Sequence, residues 1–272
     1  MKAKISTVMG RFGRLSAGTF SRPVNLHTHK EPSVLFHLGG ADLVVNVDER
    51  TVPFKVGDML LLDPWTPHSR TPAFDQSSTL MMLMIEPSLF DINAAADSAV
   101  AFRFSQRAAT IDFGMRRQLD ELATLMFDQP AARLETIQLK IEQLIDMVRV
   151  RYADDGRSRS DGASVDFRVR RAFEHLRSSA IQGIKIESLA VGSGMSRSHF
   201  FRQFKRCIGV SPQHVIDEER VAYALRALSA PGIMLSTLSE ELGFSAPAHF
   251  TRFFVQHLGC TPSQFRRNLL IV

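Results

Sequence analysis

The sequence contains little cysteine and no long apolar run. Its 272 residues include only two cysteines, Cys207 and Cys260, which do not form a CxxC pair. This argues against both a disulfide framework and a thiolate zinc site. No segment approaches the ~20 consecutive apolar residues of a membrane helix, and the first residues lack the apolar core of a secretory signal. We therefore expect a cytoplasmic protein with no membrane partner.

Tyrosine and tryptophan are scarce as well, and charge is unevenly distributed. Two Tyr and one Trp stand against 20 Phe, which favours apolar packing over the stacking platforms of a single-strand binder. Residues 166–272 hold 14 Lys and Arg against 8 Asp and Glu, whereas residues 1–165 hold 19 and 20. The basic part of the chain is therefore expected to bind a polyanion.

Apolar periodicity divides the chain into parts. Short apolar runs between turn residues indicate an all-β barrel, helical spacing follows with a break at Pro130, and a Gly, Ser, Asp and Arg-rich stretch then reads as a flexible linker. The rest reads as short helices. We predict an α+β multidomain fold, with a β-barrel domain (1–110), a helical pair (111–152), a linker (153–165) and an all-α domain (166–272).

A repeated motif in the basic part carries the main functional signal. Residues 199–212 read HFFRQFKRCIGVSP and residues 249–262 read HFTRFFVQHLGCTP, with six of 14 positions identical. In each copy two phenylalanines four residues apart form an apolar helix face, and an arginine lies off that face. A glycine and a Ser-Pro or Thr-Pro pair then end one helix and start the next. A shorter helix and a glycine turn precede each copy, so we predict helix-turn-helix motifs at about 186–207 and 236–257.

These motifs resemble the AraC/XylS family of bacterial transcription regulators. The resemblance spans about the last hundred residues and includes the spacing between the two modules. It rests on Gly194, Met195, Ser196, His199, Phe200, Arg202, Phe204, Gly209 and Pro212, and on Leu242, Gly243, Phe244, Ser245, His249, Phe250, Arg252, Phe254, Gly259 and Pro262. It implies a regulator, an activator or a repressor, that binds a double-stranded DNA operator sequence-specifically.

In this family the exposed face of each second helix reads the bases. The positions that match in the first module are Arg197, Ser198, Phe201 and Arg202, with Lys205 and Arg206 suited to phosphates. Those in the second module are Ala248, Thr251 and Arg252. Because Pro247, Ala248 and Val255 replace polar residues common in the family, we predict that the first module supplies most of the base specificity. The alternative is that these arginines are ordinary solvated charges.

The N-terminal part resembles the cupin barrels that precede the DNA-binding domain in many AraC-type regulators. If His27 and His29 point to one face of a strand, His68 could meet them inside the barrel. We predict a pocket for a small-molecule effector, with lining candidates His27, His29, Phe36, Trp65 and His68. Ordinary core packing is the alternative for each of these residues.

Three histidines and a carboxylate bind metal in cupin enzymes, so a metal-dependent enzyme using His27, His29 and His68 is a rival interpretation. The glutamate expected four residues after the second histidine is absent, because Ser33 stands there, and Pro32 distorts the strand after Glu31. We therefore predict a non-enzymatic sensor with no cofactor and no metal.

The helical pair before the linker resembles the dimerisation helices of the family. It predicts a homodimer through a four-helix interface, whereas the alternative is that these helices only cap the barrel. RNA polymerase is a further candidate partner. A general architectural DNA binder is a third functional class, but it conflicts with two ordered reading helices.

Overall fold

A computed structural model describes residues 5–48, 50–72, 76–90, 103–128, 133–154, 166–181 and 183–272. Two sheets form the N-terminal part together with one C-terminal strand, with strand orders β10-β7-β4-β9-β2-β1-β11 and β3-β8-β5-β6. All neighbouring strands are antiparallel except β1 and β11. The strands are β1 (Ile5–Gly10), β2 (Gly13–Phe20), β3 (Val24–His27), β4 (Ser33–Gly40), β5 (Leu43–Val47), β6 (Arg50–Phe54), β7 (Asp58–Leu62), β8 (His68–Pro72), β9 (Ser78–Ile85), β10 (Ala108–Thr110) and β11 (Leu269–Ile271).

The large sheet is buried on both faces. Alternate residues of β4 face different cores, because side chains alternate across a strand. Leu35 packs with Val45 and Phe54 in one core. Phe36 packs in the other, with Leu119 and Ile141 of the helical pair. The predicted barrel therefore has a second apolar layer, which lies outside it and under the helices.

Two helices, α1 (Phe113–Phe127) and α2 (Leu134–Tyr152), cover the large sheet. Asp112 caps α1 by accepting a hydrogen bond from the Met115 amide. The buried faces of both helices pack on the sheet, as the capping alternative expects. The predicted break at Pro130 lies outside the described residues, as do residues 155–165 of the predicted linker.

The C-terminal part is helical up to residue 267. Its helices are α3 (Phe167–Ser179), α4 (Ile186–Gly192), α5 (Arg197–Ile208), α6 (Pro212–Ser229), α7 (Leu235–Glu241), α8 (Pro247–Leu258) and α9 (Pro262–Arg267). Gly209 and Gly259 end α5 and α8 in the left-handed conformation, with φ of 88° and 74°. Ser211 and Thr261 then cap the helices that follow.

The helical C-terminal part ends in a short strand. Residues Leu269–Ile271 form β11, which pairs in parallel with β1 at the edge of the large sheet. The mixed fold is confirmed, with a sheet-rich N-terminal part and a helical C-terminal part. None of the helices in the described ranges combines the length and the hydropathy needed to cross a bilayer.

Candidate nucleic-acid interface and interdomain cavity

The first helix-turn-helix module consists of α4 and α5. Ser196 caps α5 by accepting a hydrogen bond from the His199 amide at 3.3 Å. Phe200 and Phe204 are fully buried against α3 and α6, so the apolar face of α5 fixes its orientation. The opposite face is exposed and carries Arg197, Ser198, Arg202, Lys205 and Arg206.

Arg197 and Phe201, both predicted to contact DNA, also contact protein groups within this module. Arg197 pairs with Glu187 of α4 at 3.3 Å, and its guanidinium lies 5.6 Å from the ring centre of Phe201. Phe201 is half-buried against the module core. The exposed pair Arg197–Glu187 contributes little to stability, so Arg197 can exchange a carboxylate for a phosphate at small cost.

The second module consists of α7 and α8. Phe250 and Phe254 are fully buried, as their counterparts in α5 are. Ala248 and Arg252 are exposed on α8, and Thr251 is half-exposed. The outward face of α8 thus presents fewer cations than that of α5, and the larger share of base reading by the first module stays a prediction.

The predicted histidines come together where the barrel meets the helical part. His27 and His68 are directly paired across β3 and β8, with ring centres 4.2 Å apart. The ring of His29 lies 4.8 Å from His68 and 6.0 Å from His27. One ring nitrogen from each of the three lies within 4.8 Å of the others.

Burial keeps these three imidazoles neutral. It lowers the pKa of His68 to about 4, and it lowers the pKa of His27 and of His29 well below the usual 6.5. Neighbouring imidazoles in the cluster add to the shift of His27 and His29. At neutral pH the cluster therefore offers lone pairs rather than positive charge.

Two other predicted pocket residues lie elsewhere. Phe36 is fully buried against the helical pair, so its assignment to the pocket is wrong. Trp65 contacts Phe173 of α3 edge-to-face at 5.4 Å between ring centres, and joins the core of the first module. Glu31, the nearest carboxylate in the sequence to the expected cupin glutamate, is not part of the histidine cluster in the described residues.

A cavity of about 200 Å³ adjoins the histidines between the two parts of the chain. The barrel contributes His27, His29, Glu31, Met82 and Met84, whereas Glu218 and Val221 of α6 and His257 of α8 close the other side. His27 and His29 are pocket residues that the sequence predicts, but the wall formed by α6 and α8 is not predicted, because it lies more than a hundred residues away in the chain.

Buried charges line the same cavity. Arg14 of β2 is 7% exposed and donates to the Met84 sulfur, and Glu218 is 6% exposed. Burial, reinforced by Glu31, raises the pKa of Glu218 well above its usual value, while Arg14 opposes the shift. Burial likewise lowers the pKa of Arg14. Both ionisable groups are buried where the two parts of the chain meet, so their energies depend on how closely these parts are held together.

A sheet-rich domain joined to two helix-turn-helix modules with exposed reading helices defines a DNA-binding transcription regulator. A helix-turn-helix domain model matches residues 189–268. The chain is 34% identical over 87 residues to the probable transcription factor PqrA of Proteus vulgaris, covering 71% of PqrA and 32% of this chain. It belongs to the AraC family of transcriptional regulators, and the predicted class is confirmed.

The match to a second relative covers a smaller share of that protein. The virulence regulon transcriptional activator VirF of Yersinia enterocolitica is 35% identical over 86 residues, and the match covers 32% of each chain. A structure of ToxT from Vibrio cholerae resembles the whole fold, with a TM-score of 0.53, 11% identity and coverage of 97% of this chain and 94% of ToxT. This likeness extends the shared architecture to the N-terminal part.

Proposed function

We propose that this regulator reads its operator mainly with the exposed face of α5, and that a small molecule in the interdomain cavity controls this reading. The observation that carries the proposal is the composition of the cavity wall. One side belongs to the barrel and the other to α6 and α8. Because α6 links the modules and α8 is the second reading helix, a ligand here contacts both the sensor and the DNA-binding elements.

Such a ligand acts through its different affinities for two arrangements of the chain. A molecule that fits the cavity only when α6 and α8 lie on the barrel favours that arrangement. Any change in operator affinity is then matched by an equal change in ligand affinity on operator.

The cavity walls define the chemical class of the effector. Met82, Met84, Val221 and Leu225 provide apolar surface, and Arg14 provides a buried cation. We infer a compact molecule with an apolar body and an acidic group. Ligand sites usually measure about 300–1,000 Å³, so a cavity of about 200 Å³ favours a short ligand. ToxT has been crystallised with an unsaturated fatty acid, which supports carboxylates as the first probes.

A cavity-filling variant tests this proposal. Ala222 lines the cavity on α6, so Ala222→Phe should occupy the ligand's space. Linear carboxylates from acetate to oleate would be titrated into the full chain, and thermal unfolding and binding to an operator selected from random DNA would be measured. We expect short members to raise the melting temperature and change operator affinity in the wild type and in the control Ala230→Phe, but not in Ala222→Phe. Stabilisation that survives in Ala222→Phe, or that leaves operator affinity unchanged, would contradict the proposal.

We further infer that the barrel acts as a sensor rather than an enzyme. The relatives named above are transcriptional regulators. In the described ranges, the groups close enough to share a metal ion are three histidines without a carboxylate. Ser33 stands where the cupin glutamate is expected, with its hydroxyl 3.5 Å from His29 Nε2.

Homodimer formation through the outer face of α1 and α2 is also proposed. Phe113 is 85% exposed there, and Leu139 is 55% exposed. Solution mass of the full chain tests this: we expect a dimer that Phe113→Asp weakens, whereas a monomeric wild type would contradict it.

Contact with RNA polymerase is proposed for the DNA-bound form. In vitro transcription from the selected operator would show whether it activates or represses.

A further inference from the structure

The three histidines of the barrel share one tautomer. His27 Nδ1 lies 2.8 Å from the Asn25 carbonyl, His29 Nδ1 lies 2.8 Å from the Glu31 carbonyl, and His68 Nδ1 lies 2.9 Å from the Thr66 carbonyl. A carbonyl oxygen can only accept, so each Nδ1 carries the proton and donates. Each Nε2 therefore keeps its lone pair. Backbone acceptors that fix Nδ1–H in this way are the usual support of metal-binding histidines.

A fourth histidine reaches the cluster from the DNA-binding part. His257 lies in the last turn of α8, and its ring centre is 6.3 Å from that of His27. Its Nδ1 donates to the Phe253 carbonyl at 2.8 Å, so its Nε2 also keeps a lone pair. The position of His257 depends on α8 packing against β3.

The spacing of the rings suits a tetrahedral ion. With metal–nitrogen distances of about 2.0–2.1 Å, imidazoles around such an ion have ring centres about 5 Å apart. The ring separations of 4.2, 4.8 and 6.0 Å within the barrel scatter around this value. The fourth ring lies 6.3 Å from His27 and outside the group of three, so His257 has to move towards the barrel histidines to bind the same ion.

In place of the metal-free site expected from the sequence, we propose that His27, His29 and His68 bind a divalent first-row transition ion and that His257 completes the site, so that the ion clamps the second reading helix to the barrel. Imidazole nitrogens suit Zn²⁺, Co²⁺, Ni²⁺ and Cu²⁺, whereas Mg²⁺ and Ca²⁺ require oxygen ligands. The metal site adds a second way to hold the two parts of the chain together beside the interdomain cavity. Only its effect on DNA binding depends on the proposed function.

A bound ion would limit the movement of α8 relative to the barrel. An ion held by the barrel alone would leave α8 free to move, but one that also binds His257 ties helix and barrel by a coordination bond. Metal occupancy then stabilises the packing of α8 on β3 against opening. Local opening is what amide hydrogen exchange measures, so the amides of residues 253–258 report on the clamp.

The experiment uses the metal-free full chain without DNA or carboxylates. Zn²⁺ affinity is measured by competition with a chromophoric chelator, and Co²⁺ absorption reports the coordination geometry. We expect one ion per chain, a tetrahedral Co²⁺ spectrum and slower exchange at residues 253–258. His68→Ala should weaken binding at least ~100-fold, and His257→Gln ~10–100-fold, with loss of the added protection.

His175→Ala is the matched control, because His175 is exposed on α3. It should bind metal as the wild type does. Thermal unfolding of each metal-free variant checks that it still folds, and His27→Gln provides a second test at a half-exposed ligand. Failure of the wild type to bind Zn²⁺ and Co²⁺, or binding and exchange unchanged in His257→Gln, would overturn the proposal. Neither result changes the outcome expected for Ala222→Phe. Failure of the metal site can therefore be distinguished from failure of the carboxylate effector.

Discussion

The two helix-turn-helix modules are built alike but face different surroundings. Each buries two phenylalanines four residues apart and ends its reading helix at a left-handed glycine. The first module meets the barrel through α3, where Phe173 contacts Trp65, and its reading face is strongly basic. In the second, the reading helix itself packs against β3.

The two modules share one scaffold, but their second helices differ in what surrounds them. A helix that reads DNA needs an exposed polar face, and a helix that responds to a sensor needs a face buried against it. α5 satisfies the first demand with its cations. α8 carries fewer cations and places His257 beside the barrel histidines. Under the proposed function, α5 reads the operator and α8 couples the DNA-binding part to the barrel.

The largest expected effect tests whether the scaffolds are equivalent. Phe200→Ala and Phe250→Ala should each lower the free energy of unfolding by ~3–5 kcal/mol, because both side chains are fully buried. Urea denaturation measures the loss, and the exposed Phe167→Ala serves as the control. Strongly unequal losses would show that the modules do not share one packing plan.

The next effect concerns operator reading. Arg202→Ala should weaken binding to a selected operator by ~1–3 kcal/mol and relax specificity at one base, since arginine commonly pairs with guanine in the major groove. Arg252→Ala should cost less. Fluorescence anisotropy measures both, with the exposed Arg149→Ala as the control. If Arg202→Ala leaves binding intact while Arg252→Ala abolishes it, the ranking of the modules is reversed.

The two glycines test how firmly the second module is held. Gly209→Ala should cost ~1–2 kcal/mol through its left-handed backbone alone, because a Cβ there meets open space. In Gly259→Ala the same Cβ would lie 3.0 Å from Arg70 Nη2, whose guanidinium sits over the Phe20 ring at 4.4 Å. Thermal unfolding should therefore show the larger loss for Gly259→Ala. Equal losses would indicate that the barrel does not restrain this module.

The smallest effect concerns α6, the helix between the modules. Burial raises the folded-state pKa of Glu218, so its protonated form stabilises the fold at low pH, and this stabilisation is lost as pH rises from about 4.5 through the raised pKa. Glu218→Gln cannot ionise, so its melting temperature relative to the wild type should increase with pH. The exposed Glu240→Gln should show no such trend. A difference independent of pH would mean that folding does not raise the pKa of Glu218.

The helical modules were predictable because local chemistry determines them. Glycines at helix ends, capping hydroxyls and paired phenylalanines act within a few residues, and the observed α5 and α8 follow these signals. The run 43–47 likewise forms a strand. Phe36 was misassigned because β4 is buried on both faces, so its sequence gives no contrast between inside and outside.

Long-range features gave no such signal. Trp65 pairs with Phe173, and His257 meets His27, only after the two parts of the chain pack together. Arg14 and Glu218 resemble surface charges in the sequence, because burial of a charged residue depends on distant partners. The histidine cluster itself was found from spacing, since cross-strand pairing brings His27 opposite His68.

The pairing of β11 with β1 makes strand exchange between molecules possible. The Thr7 amide donates to the Asn268 carbonyl, and the Val272 amide donates to the Met9 carbonyl, both at 2.9 Å. If the helical part swings away from the barrel, β1 becomes a bare sheet edge whose backbone groups can accept a strand from any chain. The same segment of a second molecule fits that edge by sequence. A large movement thus invites strand exchange between molecules, and a small rotation that keeps β11 in place avoids it.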